Sequence, residues 1–284
     1  MSLPESLPEP SNPVGIDGIE FIEYATSRPQ AFAALLQQMG FAAVARHRSR
    51  EVMLYRQGTM NLIVNSHSID DPTPTLAAIA LRVRDAGVAF RHSLDLGAWE
   101  MPTRAAAMEL YIPGIHGVGD SLIYFVDRYR DFSIYDVDFV PLAGTRPNPP
   151  ALAGLHWFGV VQGILNDRTQ DWLDFYQTLF GFTVLPRGQY FGVMPKGTLL
   201  ESPCHKFYLQ LIEPPPGADE IHWDEGLVRV GLGARDVPAA TRALSDRGIV
   251  FIDRGALHPS DKGALTQIYL GGVTFELVVS HLEP

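Results

Sequence analysis

The 284-residue chain is 46% hydrophobic with a formal charge of −10, the composition of a packed globular protein of one large domain or two smaller ones. The acidic balance excludes broad nucleic-acid binding, which shows as a basic patch or stripe. The single cysteine, Cys204, excludes an intrachain disulfide, no apolar run approaches the roughly 18 to 20 residues that span a bilayer, and MSLPESLPEPSNP lacks the layout of a signal peptide. A cytoplasmic protein handling small molecules is the expectation that remains.

Taken in chain order, the elements repeat. RPQAFAALLQQMG (28–40) puts Phe32, Leu35, Leu36 and Met39 at helical spacing before Gly40. VMLYRQGTMNLIVN follows as a β-rich stretch, and RVRDAGVAFRHSLDLGA (82–98) predicts a second helix with Asp85 as N-cap and Gly97 at the exit. The proline-rich GTRPNPPALAG (144–154) is a linker. Beyond it RTQDWLDFYQTLFG (168–181) repeats the first helix, with Trp172, Phe175, Leu179 and Gly181, and GARDVPAATRALSDRGI (233–249) repeats the second, with Asp236 and Gly248. The chain therefore reads as four units, each a strand, a helix and about three strands, in two consecutive pairs. The expected division is 14–143, the linker 144–154, and 155–284.

Alternation along the strands of the second pair assigns faces. FYLQLIEP shows Phe207, Leu209 and Leu211 to one side and Gln210 to the other; TFELVV opposes Glu276 to Phe275 and Leu277. LHWFGVV groups His156 with Phe158 and Val160, and GLVRVGLGARD groups Arg229 with Leu227 and Gly231. His156, Gln210, Arg229 and Glu276 are thus candidates for one cavity. By the repeat, their counterparts in the first pair are Glu20, Asn61, Ala78 and Tyr124, which offer no replacement metal site. Arg229 needs an explanation, because burying an unpaired charge costs several kcal/mol.

NPVGIDGIEFIEYA, MGFAAVARHRSREVMLYRQGTMNLIVN, ELYIPGIHGVGDSLIYFVDRY and SIYDVDFVPLAG resemble the amino-terminal domain of the 4-hydroxyphenylpyruvate dioxygenases, within the vicinal oxygen chelate superfamily. The resemblance runs more loosely through the rest of the chain. It implies an α+β fold of two tandem domains, each built from two βαβββ units curled into an open, incomplete barrel with helices outside. It also implies a non-haem Fe(II) in the second domain, held by two histidines and one glutamate with open positions for a 2-oxo acid and O₂.

Carried over residue by residue, the resemblance assigns metal ligation to His156, in AGLHWFGVV, and Glu276, in TFELVV. Arg229 stands where the second histidine is expected. A guanidinium has no lone pair to offer and stays protonated, so it is not a ligand. Gln267, in TQIYL, matches a glutamine of the family and with Gln210 and Arg229 forms the expected substrate-binding set. Ile212 replaces a polar residue in LIEP, the stretch from Arg229 to Glu276 is shorter than usual, and the family's carboxy-terminal lid helix has no counterpart before the chain stops. His205, His222 and His258 are alternative third ligands on loops, Cys204 is read as an inert thiol and HRSR (47–50) as a solvated hairpin.

Two functions fit these residues. One is a metal-dependent, dioxygenase-like enzyme for a small aromatic or 2-oxo acid, using Fe(II) or another divalent metal on a degenerate triad, with turnover of 4-hydroxyphenylpyruvate absent or very low. The other is a metal-free ligand-binding or auxiliary module related to the dioxygenase-like part of bifunctional 3-dehydroshikimate dehydratases. Arg229 either pairs with Glu276 or grips a ligand carboxylate. The partner expected is a small anionic aromatic or 2-oxo acid, with no nucleic acid and no membrane, and a homo-oligomer is compatible with the resemblance.

Overall fold

The computed structural model describes residues 11–66, 73–102, 109–186, 192, 197–215 and 223–282. The first unit is β1 (Gly18–Ala25), α1 (Pro29–Gln38), β2 (Ala42–His47), β3 (Val52–Gln57) and β4 (Met60–Asn65). The second is β5 (Thr75–Arg82), α2 (Ala86–Asp95), β6 (Gly114–His116) and β7 (Leu122–Val126), followed by α3 (Ile134–Asp138) and β8 (Phe139–Pro141). The third is β9 (His156–Gly163), α4 (Thr169–Phe180), β10 (Thr183–Val184), β11 (Thr198–Glu201) and β12 (Tyr208–Ile212). The fourth is β13 (Gly226–Ala234), α5 (Val237–Ser245), β14 (Gly263–Leu265) and β15 (Phe275–Val279).

These elements make an open mixed sheet. Its N-terminal part runs β2-β3-β4-β1-β5-β7-β6 and its C-terminal part β10-β11-β12-β9-β13-β15-β14, the same order with the same parallel and antiparallel pairings. A single antiparallel pair, Leu227 with Leu76, joins the two parts. The expected third strand of the second and fourth units is reduced to isolated bridges, Glu100 with Ile115 and Phe251 with Thr266.

The predicted helices form for the reasons their sequences give. Asp85 accepts from the Val88 N–H at 2.8 Å and Asp236 from the Ala239 N–H at 2.8 Å, so both N-caps satisfy backbone donors that a helix start leaves open. α4 stops at Gly181, whose φ of 74° is the left-handed cap that glycine adopts without a Cβ penalty. The apolar stripe of α4 is rotated from the expected one: Tyr176, Leu179 and Phe180 are buried, while Trp172 and Phe175 are only partly so. None of the helices among the described residues is long and apolar enough to cross a membrane.

All four long helices pack on one face of the sheet and feed a core shared by both parts. Phe41 meets Trp157 at a centroid distance of 6.2 Å, Phe125 meets Phe180 at 6.1 Å and Tyr24 meets Phe275 at 6.5 Å. A second cluster lies on the concave face of the N-terminal part, where Ile134, Tyr135 and Phe139 fold back over Phe21, Val52 and Ile63. The linker is held down rather than loose: Gly58 N–H donates to Pro149 O at 2.8 Å and Leu152 N–H to Gln57 Oε1 at 2.8 Å.

One irregularity decides which side chains reach the concave face. Gly231 pairs with Gly159 but Leu232 with Trp157, so Phe158 is an extra residue in β9; Glu20 is the matching extra residue in β1, between the pairs Ile19–Leu81 and Phe21–Ala80. Such a bulge shifts the alternation beyond it. Phe158 therefore stacks on Tyr208 at 5.0 Å on the concave side, whereas Val160 joins the helix-side core, contrary to the simple alternation that grouped them. A similar bulge at Val228, between the pairs Leu227–Gln162 and Arg229–Val161, sends Leu227 into that core and separates it from Arg229.

The two parts approach closely at Gly119, where φ is 59° and a Cβ would lie 1.8 Å from the Glu225 carbonyl oxygen. Gly119→Ala must move that backbone and adopt a left-handed conformation with a Cβ. It should lose more than about 2 kcal/mol and lower Tm by roughly 4 °C or more in thermal unfolding followed by circular dichroism.

Candidate functional site in the C-terminal sheet

Arg229 and Glu276 meet on the concave face. Arg229 Nε lies 3.0 Å from Glu276 Oε2, with side-chain exposures of 9% and 4%. Register brings them together: Glu276 pairs with Gly231 across the parallel β13–β15 ladder, two residues from Arg229. Gly231 presents no side chain, which leaves the lane between them open. The pair is close but not ideal, since Arg229 Nε and Nη2 have no well-aimed hydrogen-bond acceptor among the described residues. Its strength is therefore mostly Coulombic, in surroundings where neither charge has water to fall back on.

The residues beside this pair leave little space. Gln210, Tyr208, Phe158, Val161 and Leu199 line a pocket with Glu276 of about 20 Å³, room for one water rather than an aromatic acid. Gln210 thus lies where expected, next to Glu276. Gln267 does not: it follows β14 as an exposed residue, with its backbone N–H donating to Val250 O at 3.0 Å, and does not line the pocket.

His156 is also elsewhere. It pairs with Gly233, two residues or about 7 Å along β13 from Gly231, which is level with Glu276. Its Nδ1 is 3.2 Å from the Gly154 carbonyl and its Nε2 is 2.9 Å from Ser280 Oγ. A carbonyl can only accept, so Nδ1 carries the proton and Nε2 accepts from the serine hydroxyl. Desolvation lowers the pKa of His156, Gly154 opposes this and Arg235 reinforces it, so the ring is held neutral as a tie between β9 and the segment after β15. In this geometry His156 hydrogen-bonds Ser280 rather than meeting Glu276, while the extra residue at Phe158 keeps it on the concave face.

The repeat counterparts shift for the same reason. Ala78 and Tyr124 do match Arg229 and Glu276, since Glu23 pairs with Ala78 and Ala80 with Tyr124 as Val161 pairs with Arg229 and Gly231 with Glu276. Glu20 instead matches Phe158, and Asn61 matches Tyr208. Glu20 is buried beside Arg82 Nε at 2.6 Å and Asn61 Nδ2 at 3.2 Å; desolvation raises its pKa despite Arg82.

A facial 2-His-1-carboxylate iron centre requires three donors around one point. The residues present do not fit it. Arg229 occupies one lane with a positive charge, and at Gly159 any Cβ would lie 1.9 Å from the Tyr208 carbonyl oxygen, so that lane admits no ligand side chain. Among the described residues no group of three His, Cys, Asp or Glu side chains could hold a metal. His205 is exposed and 3.3 Å from Glu201, His258 is exposed and 2.5 Å from Asp253, and His222 lies outside the described residues. Cys204 is partly buried, and burial raises its pKa, as befits an unreactive thiol.

Sequence reasoning missed a polar cluster on the other concave face. Glu23, Asn65 and Tyr124 share a cavity there with His47 and Arg50, two members of the run read as a solvated hairpin. The signal was available: two glutamates inside the apolar strand GIEFIEYA pose the same question as Arg229 in its own strand.

The family profile described as "Hydroxyphenylpyruvate dioxygenase, HPPD, N-terminal" matches residues 11–140. The chain is 34% identical over 264 residues to "Hemolysin VllY" of Vibrio vulnificus, covering 85% of this chain and 73% of that protein. It is 31% identical over 269 residues to the 4-hydroxyphenylpyruvate dioxygenase of Pseudomonas aeruginosa, covering 86% and 73%. A 3-dehydroshikimate dehydratase of Pseudomonas aeruginosa is 33% identical over 259 residues, covering 84% of this chain but 40% of the dehydratase. Among solved structures, a "xylose isomerase-like TIM barrel/4-hydroxyphenylpyruvate dioxygenase fusion protein" superposes with a TM-score of 0.74 at 22% identity, over 98% of this chain and about half (51%) of that one. A variant of 4-hydroxymandelate synthase from Streptomyces coelicolor gives 0.72 at 16% identity, over 96% and 94%. On these sequence matches, the chain belongs to the 4-hydroxyphenylpyruvate dioxygenase family.

Proposed function

We propose that this protein is a metal-independent member of its family, an auxiliary or ligand-binding module organised as two tandem vicinal-oxygen-chelate domains, 14–143 and 155–284, joined by 144–154. The observation that carries this reading is the buried contact of Arg229 with Glu276, 3.0 Å apart, in the lane where an iron ligand would stand. A cation at that position neutralises the Glu276 carboxylate and repels a divalent metal from it. The likeness to a part of the 3-dehydroshikimate dehydratases and to a fusion protein supports a module that works beside another catalytic unit.

Two experiments test this. Purified protein titrated with Fe(II), Mn(II) and Co(II) should take up none stoichiometrically and should consume no O₂ with 4-hydroxyphenylpyruvate; one bound equivalent that disappears in Glu276→Gln would overturn the reading. In parallel, Arg229→Leu should lose about 3 to 5 kcal/mol by removing the buried cation beside Glu276, while Arg229→Leu combined with Glu276→Leu recovers part of that loss in urea unfolding. His156 is structural in this account. Its folded pKa lies below the ordinary histidine value, so its contribution to stability is present above about pH 6.5 and is lost as pH falls through the folded value. The stability difference between wild type and His156→Asn should therefore shrink on acidification from pH 7.5 to 5; a pH-independent difference would argue against a neutral His156.

A further inference from the structure

The concave face of the N-terminal sheet holds a cavity that its counterpart lacks. By register, Glu23, Ile63, Ala78 and Tyr124 stand where the C-terminal sheet has Val161, Gln210, Arg229 and Glu276. Where β13 carries a long guanidinium side chain, β5 presents a methyl group. The cavity measures about 140 Å³, against about 20 Å³ in the other sheet. An apolar cavity of roughly 150 Å³ accepts a benzene ring.

Its walls are built for a ring and its floor for a hydrogen-bond donor. Phe21, Val52, Ile63, Ile112, Ile134 and Phe139 supply the apolar surface. Glu23 lines the cavity with Oε1 accepting from Asn65 Nδ2 at 3.0 Å, and Tyr124 lines it as well. Desolvation holds the Glu23 carboxyl above its usual pKa and, with the Glu23 charge adding to burial, keeps Tyr124 a phenol. Three carboxyl groups, Glu23, Glu109 and Asp138, line the cavity against one guanidinium, Arg50, which pairs with Glu109. His47 also lines it, and desolvation lowers its pKa. That balance disfavours an anionic ligand and favours one that donates.

We infer that this cavity binds a small monocyclic phenol, its ring between the apolar walls and its hydroxyl donating to a Glu23 carboxyl oxygen. The site is independent of the reading of Arg229 and Glu276, since no residue is shared.

The test is fluorine NMR of the full chain titrated with 4-fluorophenol, with 4-fluorobenzoate and fluorobenzene as comparisons. Saturable binding of one equivalent is expected, at least tenfold tighter than either comparison. Glu23→Gln, which keeps the side-chain shape, should weaken it at least fivefold, and Ile63→Trp, which fills the cavity, should abolish it. Arg229→Leu combined with Glu276→Leu should leave it unchanged, so that binding at the other sheet is told apart. Failure to saturate at millimolar ligand, preference for the benzoate, an unchanged affinity in Glu23→Gln, or loss in the double variant would each overturn the assignment.

Discussion

The C-terminal concave face is organised by one buried charge pair. Arg229 and Glu276 lie together with almost no exposure, and each charge offsets part of the other's cost of burial. The small residues around them follow from this constraint: Gly231 lies between them in register, and Gly192 passes so close to Glu276 that a Cβ would fall 2.2 Å from Oε1. The pocket beside Glu276 is accordingly small among the described residues. The space left beside the pair is about 20 Å³.

The N-terminal concave face solves the same topological problem differently. Its sheet has the same strand order and the same bulge, but Ala78 and Tyr124 leave a lane that Arg229 and Glu276 close in the other half. The covering segment of Ile134, Tyr135 and Phe139 shields this face with apolar groups while leaving the Glu23–Asn65 corner accessible to the cavity. Two copies of one architecture therefore present opposite chemistry, one closed by charge neutralisation and one open with acceptor groups at its base. Family membership fixes the scaffold, while these few side chains decide what each scaffold face can hold.

Much of the fold was legible in the chain. Period and capping located the four long helices, because Asp85 and Asp236 cap by local hydrogen bonds and Gly97, Gly181 and Gly248 terminate by local backbone freedom. The strand–helix–strand repeat gave the two-part organisation for the same reason. The awkwardness of Arg229 in an apolar strand also pointed to Glu276, since a buried cation demands an anion within reach.

What the sequence could not give was the register between distant strands. Alternation places His156 on the concave face, and that much holds, but only the pairing of β9 with β13 says how far along the strand it sits. In that register Gly159 and Val161, not His156, lie opposite the charge pair. The matching bulge at Glu20 breaks the alternation between Glu20 and Glu23 in the other half. Faces and helix ends are set by near neighbours in the chain and so are written in its pattern; convergence of side chains from separate strands depends on ladder register and bulges, which tertiary packing alone decides.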